Sequence, residues 1–189
     1  MTKKELRHIN KEKRAAIPSK EKLKLDDLLL IRFQQLYFEE VITLLTYWPK
    51  ADTNEPNTHL FSGFLKHSIP GLNIAYPKSD FGAAAMDALL IHEDTVYYSN
   101  QYGITEPKEG VIIEPSAIDL VFVPLLVCDN DGYRVGYGKG FYDRYLARCR
   151  EDIIKIGFSY FDPVEKIDDR DSFDIPLNYC ITPESLYEF

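Results

Sequence analysis

The sequence predicts an α/β fold: a single three-layer domain over residues 1–189, with a mostly parallel sheet, helices on both of its faces, and added N-terminal helices. Three observations carry this. Strand-like and helix-like segments alternate along the chain, the pattern of a sheet built through crossover connections. Residues 118–127 are nearly all apolar, as expected of a central strand covered on both faces. Residues 1–37, by contrast, carry helical periodicity and end before the first strand-like run.

The elements follow in order. Thr2, Lys3, Lys4 and Glu5 make a capping-box pattern, so a helix is predicted from there to about residue 17, broken by Pro18 and Ser19. A second helix follows, with a broad apolar stripe of Leu25, Leu28, Leu29, Arg32, Phe33, Leu36 and Tyr37. Residues 41–45 read as a buried strand ended near Pro49, and the polar residues 50–57 as a loop. A helix over 59–66 stops before Pro70 and Gly71, and a short strand over 72–76 is closed by Pro77. Residues 87–92 and 95–99 are expected to pair as a hairpin around His92, Glu93 and Asp94, with 102–110 a Pro- and Gly-containing loop. Beyond the central strand come a helix over 141–150, a strand over 153–160 and a last edge strand over 178–182.

Composition narrows the function. Hydrophobic residues make up 45% and charged residues 28%, enough to bury a core without disulfides or structural metal. The cysteines, Cys128, Cys149 and Cys180, are odd in number and form no CxxC clip, so free thiols in a reducing compartment are expected. The N-terminus is charged and no apolar run approaches a membrane span, so a cytoplasmic protein with no membrane partner is expected. The four histidines lack metal-ligand spacing, which argues against a zinc site or a Cys–His nucleophile. Residues 1–24 hold nine basic and three acidic side chains, a segment of +6 on a chain of −8. A basic arm on an acidic body argues against nucleic-acid binding and suits either a solvated helix face or a small polyanion such as a nucleotide.

The most informative stretch is residues 129–144, between the strongest strand and a helix, the junction where open α/β sheets bind ligands. Gly136, Gly138 and Gly140 let the backbone approach closely and turn its N–H groups inward, and the following helix adds its positive end. Arg134 and Lys139 add charges suited to phosphate oxygens. A P-loop is excluded because Gly140, not Ser or Thr, follows Lys139.

The run Gly136, Tyr137, Gly138, Lys139, Gly140, Phe141, Tyr142, Asp143, Arg144, Tyr145 and Leu146, after Val123, Pro124 and Asp129, resembles the signature of 5-formyltetrahydrofolate cyclo-ligases. Three further segments match in order: residues 3–7, residues 55–58, and residues 174–178 with Thr182. The resemblance implies an ATP-dependent conversion of 5-formyltetrahydrofolate to 5,10-methenyltetrahydrofolate, with release of ADP and phosphate. It implies that the γ-phosphoryl group goes to the formyl oxygen before nitrogen 10 closes the ring. ATP and the folate are then the small-molecule partners, Mg2+ the cofactor, and a monomer the expected state.

By the same resemblance, Lys3 (or Lys4), Arg7, Arg134, Gly136, Tyr137, Gly138, Lys139, Gly140, Phe141 and Tyr142 bind ATP. Glu55, Met86, Tyr102 and Tyr142 face the folate, and Asp143 and Asp174 hold the metal. The chain departs from the family pattern at Pro56, Phe173 and Asn178, the last standing where a second Asp is frequent. A sugar-phosphate isomerase or CoA-transferase-like enzyme, or a non-catalytic folate- or nucleotide-binding protein, are the alternative readings.

Overall fold

The computed structural model describes all of residues 1–189. In chain order the elements are α1 (Lys3–Ala15), α2 (Ser19–Phe33), β1 (Thr43–Leu45), α3 (Thr58–Ser68), β2 (Asn73–Asp80), β3 (Ala85–Leu90), β4 (Tyr97–Ser99) and β5 (Thr105–Pro107). They continue with β6 (Val111–Ile113), β7 (Leu120–Phe122), β8 (Val127–Cys128), β9 (Arg134–Val135), α4 (Phe141–Leu146), β10 (Ile154–Phe158), β11 (Tyr179–Ile181) and β12 (Leu186–Glu188).

Eight strands form one sheet in the order β12-β11-β10-β7-β1-β2-β3-β6. From β11 to β2 every neighbour is parallel, whereas β12, β3 and β6 join antiparallel at the edges. Alternate side chains on the central strands go to opposite layers, as the period of two requires. Leu44, Leu120, Phe122, Ile156 and Phe158 pack with Leu29 and Phe33 of α2 and Phe61 and Leu65 of α3. Leu45, Val121 and Val123 pack on the other face with Tyr145 and Leu146 of α4. Both faces are therefore covered, which is why β7 reads as apolar sequence, but the strand expected over 118–127 is only Leu120–Phe122, and Val127 opens β8, which pairs with β9 in a separate two-stranded sheet. The predicted three-layer α/β architecture is the one observed.

The capping box of α1 is present: the Glu5 amide donates to Thr2 Oγ1 at 3.3 Å and the Thr2 amide to Glu5 Oε2 at 2.8 Å. The helix lies apart from the two main cores, with Leu6 against Val127, Val135 and Ile167.

Several local expectations are corrected. Helix α2 ends at Phe33, so Tyr37 lies outside it and is exposed, and Leu28 faces solvent. Strand β2 runs through Pro77 to Asp80. Pro77 has the parity of Ala75, whose carbonyl accepts from Thr46 on the β1 side; beyond that point β1 has ended, and no partner awaits the missing N–H. The expected pairing of 87–92 with 95–99 does not form: β3 pairs with β2 and β6, while β4 pairs with β5 inside the supposed loop. The true hairpin turns at residues 81–84, where Asp80 Oδ1 accepts from the Gly82 and Ala83 amides. Helix α4 stops at Leu146 rather than near residue 150, because the chain must reverse into β10. The edge of the sheet is β12, not residues 178–182.

Candidate active site

Beyond the carboxyl ends of β1 and β7, and along the second half of β2, lies a cleft of about 910 Å3. Its walls include Tyr47 and Trp48 after β1, Pro77 and Ser79 of β2, and Pro124 after β7. The position is the one at which parallel strands leave their loops free to hold ligands.

The glycine loop forms one wall. Gly138 has φ +91°, and a Cβ there would meet the Arg7 guanidinium at 3.2 Å. Gly140, at φ +68°, turns the chain into α4. Arg7 comes from α1 and donates from Nε to the Gly136 carbonyl at 2.9 Å; its remaining guanidinium nitrogens make no hydrogen bond. The Lys139 ammonium has neither a hydrogen-bond nor an ion-pair partner in the protein and is exposed. These two cations and the loop amides form a surface suited to phosphate.

Two other cations are already paired. Arg134 is buried and donates to Asp143 Oδ1 at 2.9 Å and to the Ile175 carbonyl at 2.5 Å. Lys3 Nζ lies 2.5 Å from Asp174 Oδ2 and 3.4 Å from Asp171 Oδ2. Burial works to lower the Lys3 pKa, but the two aspartates outweigh it and the pKa is raised. Asp143 is thus tied to Arg134 and not to its neighbour Arg144, which donates to the Ala84 and Lys139 carbonyls. Asp143 Oδ2 and Asp174 Oδ1 make no hydrogen bond and lie on the cleft.

The opposite wall holds Glu55, which is 6% exposed. Its Oε2 accepts from the Lys50 amide at 2.6 Å, and its Oε1 accepts from the Tyr137 hydroxyl. Burial raises its pKa, while hydrogen bonds from Tyr137 and the Lys50 amide and the charge of Arg14 act against that. The Tyr137 hydroxyl is therefore engaged by Glu55 and Arg14. The Tyr142 hydroxyl is buried and has no partner, and burial raises its pKa strongly, with Glu55 adding to the effect.

The apolar lining is aromatic. Phe81 stacks on Tyr102 with ring centroids 4.0 Å apart and meets Phe141 edge-on at 5.1 Å. Met86 is buried and faces the same space. All fifteen residues singled out in the sequence line this one cleft: Lys3, Arg7, Glu55, Met86, Tyr102, Arg134, Gly136, Tyr137, Gly138, Lys139, Gly140, Phe141, Tyr142, Asp143 and Asp174. Lys4 does not line it, and Asn178 lies just before β11, where its Oδ1 accepts from the Lys155 amide at 2.9 Å. The sequence reading missed Arg14, Trp48 and Phe81. Arg14 was legible in principle, since it continues the α1 stripe of Lys3 and Arg7. Phe81 lies in the turn whose hairpin was misread.

The sequence and the fold are both similar to those of known proteins. Residues 1–168 match the sequence model of the 5-formyltetrahydrofolate cyclo-ligase family. The chain belongs to that family. It is 38% identical over 88 residues to the cyclo-ligase of Haemophilus influenzae, a stretch that is 44% of this chain and 46% of that protein. It is 32% identical over 113 residues to the cyclo-ligase of Escherichia coli K12, covering 58% and 62% of the two chains. In sequence the chain thus spans about half the length of the curated relatives it matches. In structure the likeness to family members is longer. The Aquifex aeolicus 5,10-methenyltetrahydrofolate synthetase superposes with a TM-score of 0.80 at 29% identity, covering 100% of this chain and 93% of the other. The Mycoplasma pneumoniae synthetase gives 0.75 at 28%, covering 96% and 98%. No helix of the chain is long and apolar enough to cross a membrane.

Proposed function

We propose that the chain catalyses the ATP-dependent cyclisation of 5-formyltetrahydrofolate to 5,10-methenyltetrahydrofolate, releasing ADP and phosphate. The observation that carries this reading is the pairing, in one cleft of a cyclo-ligase family member, of a cationic glycine loop with a buried carboxylate set among aromatic rings. The formyl group is amide-like and its oxygen is a poor leaving group. Transfer of the γ-phosphoryl group to that oxygen, with ADP departing, activates it. Nitrogen 10 then attacks the formyl carbon, the carbon–oxygen bond breaks toward phosphate, and nitrogen 10 loses its proton.

The protein's part is to bring two substrates together and to neutralise charge. Arg7, Lys139 and the loop amides hold the triphosphate. Arg134 and Lys3 hold Asp143 and Asp174 in place, each with one oxygen left free. That donor set fits magnesium, which takes one or two carboxylates and keeps water and phosphate oxygens for the rest. No group of three or more metal-ligating side chains exists that would suit a protein-only cage. Magnesium, bound there, would supply charge neutralisation on the β- and γ-phosphates. Glu55 accepts from the pterin or from the nitrogen 10 proton, with Phe81, Tyr102 and Met86 covering the ring. The protein acts in the cytoplasm, as a monomer.

The test mixes purified protein, MgATP and 5-formyltetrahydrofolate and follows the near-ultraviolet absorbance of the methenyl product. Product is expected only when all components are present. Its absence with folded protein rejects the reading.

A further inference from the structure

The hydroxyl of Tyr137 sits between two charged groups that come from distant parts of the chain. It donates to Glu55 and accepts from the Arg14 guanidinium. Arg14 is 3% exposed and has no carboxylate partner; it also donates to the Thr53 carbonyl at 2.7 Å and the Leu125 carbonyl at 3.1 Å. The order is therefore a buried cation, a phenol and a buried carboxylate. Tyr137 itself stands between Gly136, whose carbonyl accepts from Arg7, and Gly138, where a Cβ would meet the Arg7 guanidinium at 3.2 Å. The residue touching Glu55 is thus part of the backbone segment that faces the phosphates.

We propose that Tyr137 is a positioning residue that fixes Glu55 from the nucleotide-binding loop and so couples the two halves of the cleft. The inference rests on the reading of Glu55 as the folate carboxylate. A phenol oxygen that accepts from a guanidinium becomes a better donor to a carboxylate, because each hydrogen bond polarises the next. A ligand that draws on Arg7 and the loop amides acts on the three residues that carry the phenol. By linkage, the affinity of either substrate then depends on the presence of the other.

Six residues bear on the charge of Glu55: Arg14 from α1, Tyr47 after β1, Lys50 from the following turn, Tyr137 from the glycine loop, Tyr142 from α4 and Tyr160 after β10. The tyrosines are neutral at working pH, since burial raises each of them. Tyr137→Phe removes one donor to the carboxylate and changes no formal charge. A donor favours the ionised form, so its loss moves the Glu55 titration to higher pH.

The experiment follows the 13C carboxyl resonance of Glu55, identified by its absence in Glu55→Gln, against pH in wild type and Tyr137→Phe. An upward shift on the order of one pH unit is expected. An unmoved midpoint overturns the proposal, and this readout needs no turnover. In active enzyme the acidic limb of kcat/KM for 5-formyltetrahydrofolate should move in the same direction. The dissociation constant of 5-formyltetrahydrofolate is then measured with and without a non-hydrolysable ATP analogue. The ratio should reach about fivefold in wild type and fall toward one in Tyr137→Phe. A ratio of one in wild type rejects the coupling. A wild type that titrates as expected yet makes no methenyl product rejects the proposed function and leaves the relay standing.

Discussion

The core under α2 and α3 and the cleft beyond the strand ends treat buried groups differently. On the side of α2 and α3, Phe33 meets Phe38, Phe61, Phe64, Phe122 and Phe158 with centroids 5.6–6.0 Å apart, a knot of phenyl rings. At the cleft, by contrast, Glu55 and Arg134 are buried charges, buried Arg14 stands behind Tyr137, and the Tyr142 hydroxyl is buried without a partner. Aromatic packing gains from area and from edge-to-face contact and needs no further partner. A buried charge is tolerated only when other groups solvate it, so each cleft residue depends on several others. The phenylalanine knot serves stability, whereas the cleft keeps buried polar groups that depend on one another.

Four substitutions probe that contrast, from the largest effect to the smallest. Phe33→Ala removes the hub of the aromatic cluster and should lower the unfolding free energy by about 3–5 kcal/mol, read from urea denaturation. Substrate affinity of the protein that remains folded should be unchanged; a large loss of affinity would break the division between core and cleft. Glu55→Gln replaces an acceptor-only carboxylate with an amide and should weaken folate binding by about 1–3 kcal/mol, read by calorimetry. ATP affinity without folate should stay near wild type, and the opposite pattern would show the halves of the cleft to be assigned wrongly.

Asp143→Asn should raise the magnesium requirement and reduce turnover by roughly tenfold, the scale of about 1.4 kcal/mol of transition-state stabilisation. Because it also weakens the partner of buried Arg134, the melting temperature should fall as well. Full turnover with unchanged magnesium dependence would remove Asp143 from the metal. Tyr142→Phe is expected to act least on stability, since the hydroxyl it deletes has no partner in the free protein. A raised KM for 5-formyltetrahydrofolate with an unchanged melting temperature would mark that hydroxyl as a ligand contact, whereas a lowered melting temperature would place it in the protein's own network.

What the sequence determined by itself is what short-range chemistry decides. The capping box of α1 spans Thr2 to Glu5, the apolar core of β7 at Leu120–Phe122 needs only to be covered, and the glycines at 138 and 140 are where the backbone takes positive φ. The ordered motifs also brought fifteen residues to one cleft, because strand ends in a parallel sheet gather their loops on one side. Strand pairing around Pro77 was not legible, since a proline's tolerance in a strand depends on whether a neighbour needs its N–H. Nor were the partners within the cleft. Lys3 meets Asp174 across 171 residues and Tyr137 meets Glu55 across 82, contacts that no local pattern encodes. Only the packed tertiary structure decides which charges are paired and which, like Lys139, have no partner in the protein, because pairing is set by distance in space and by the cost of leaving a buried charge alone.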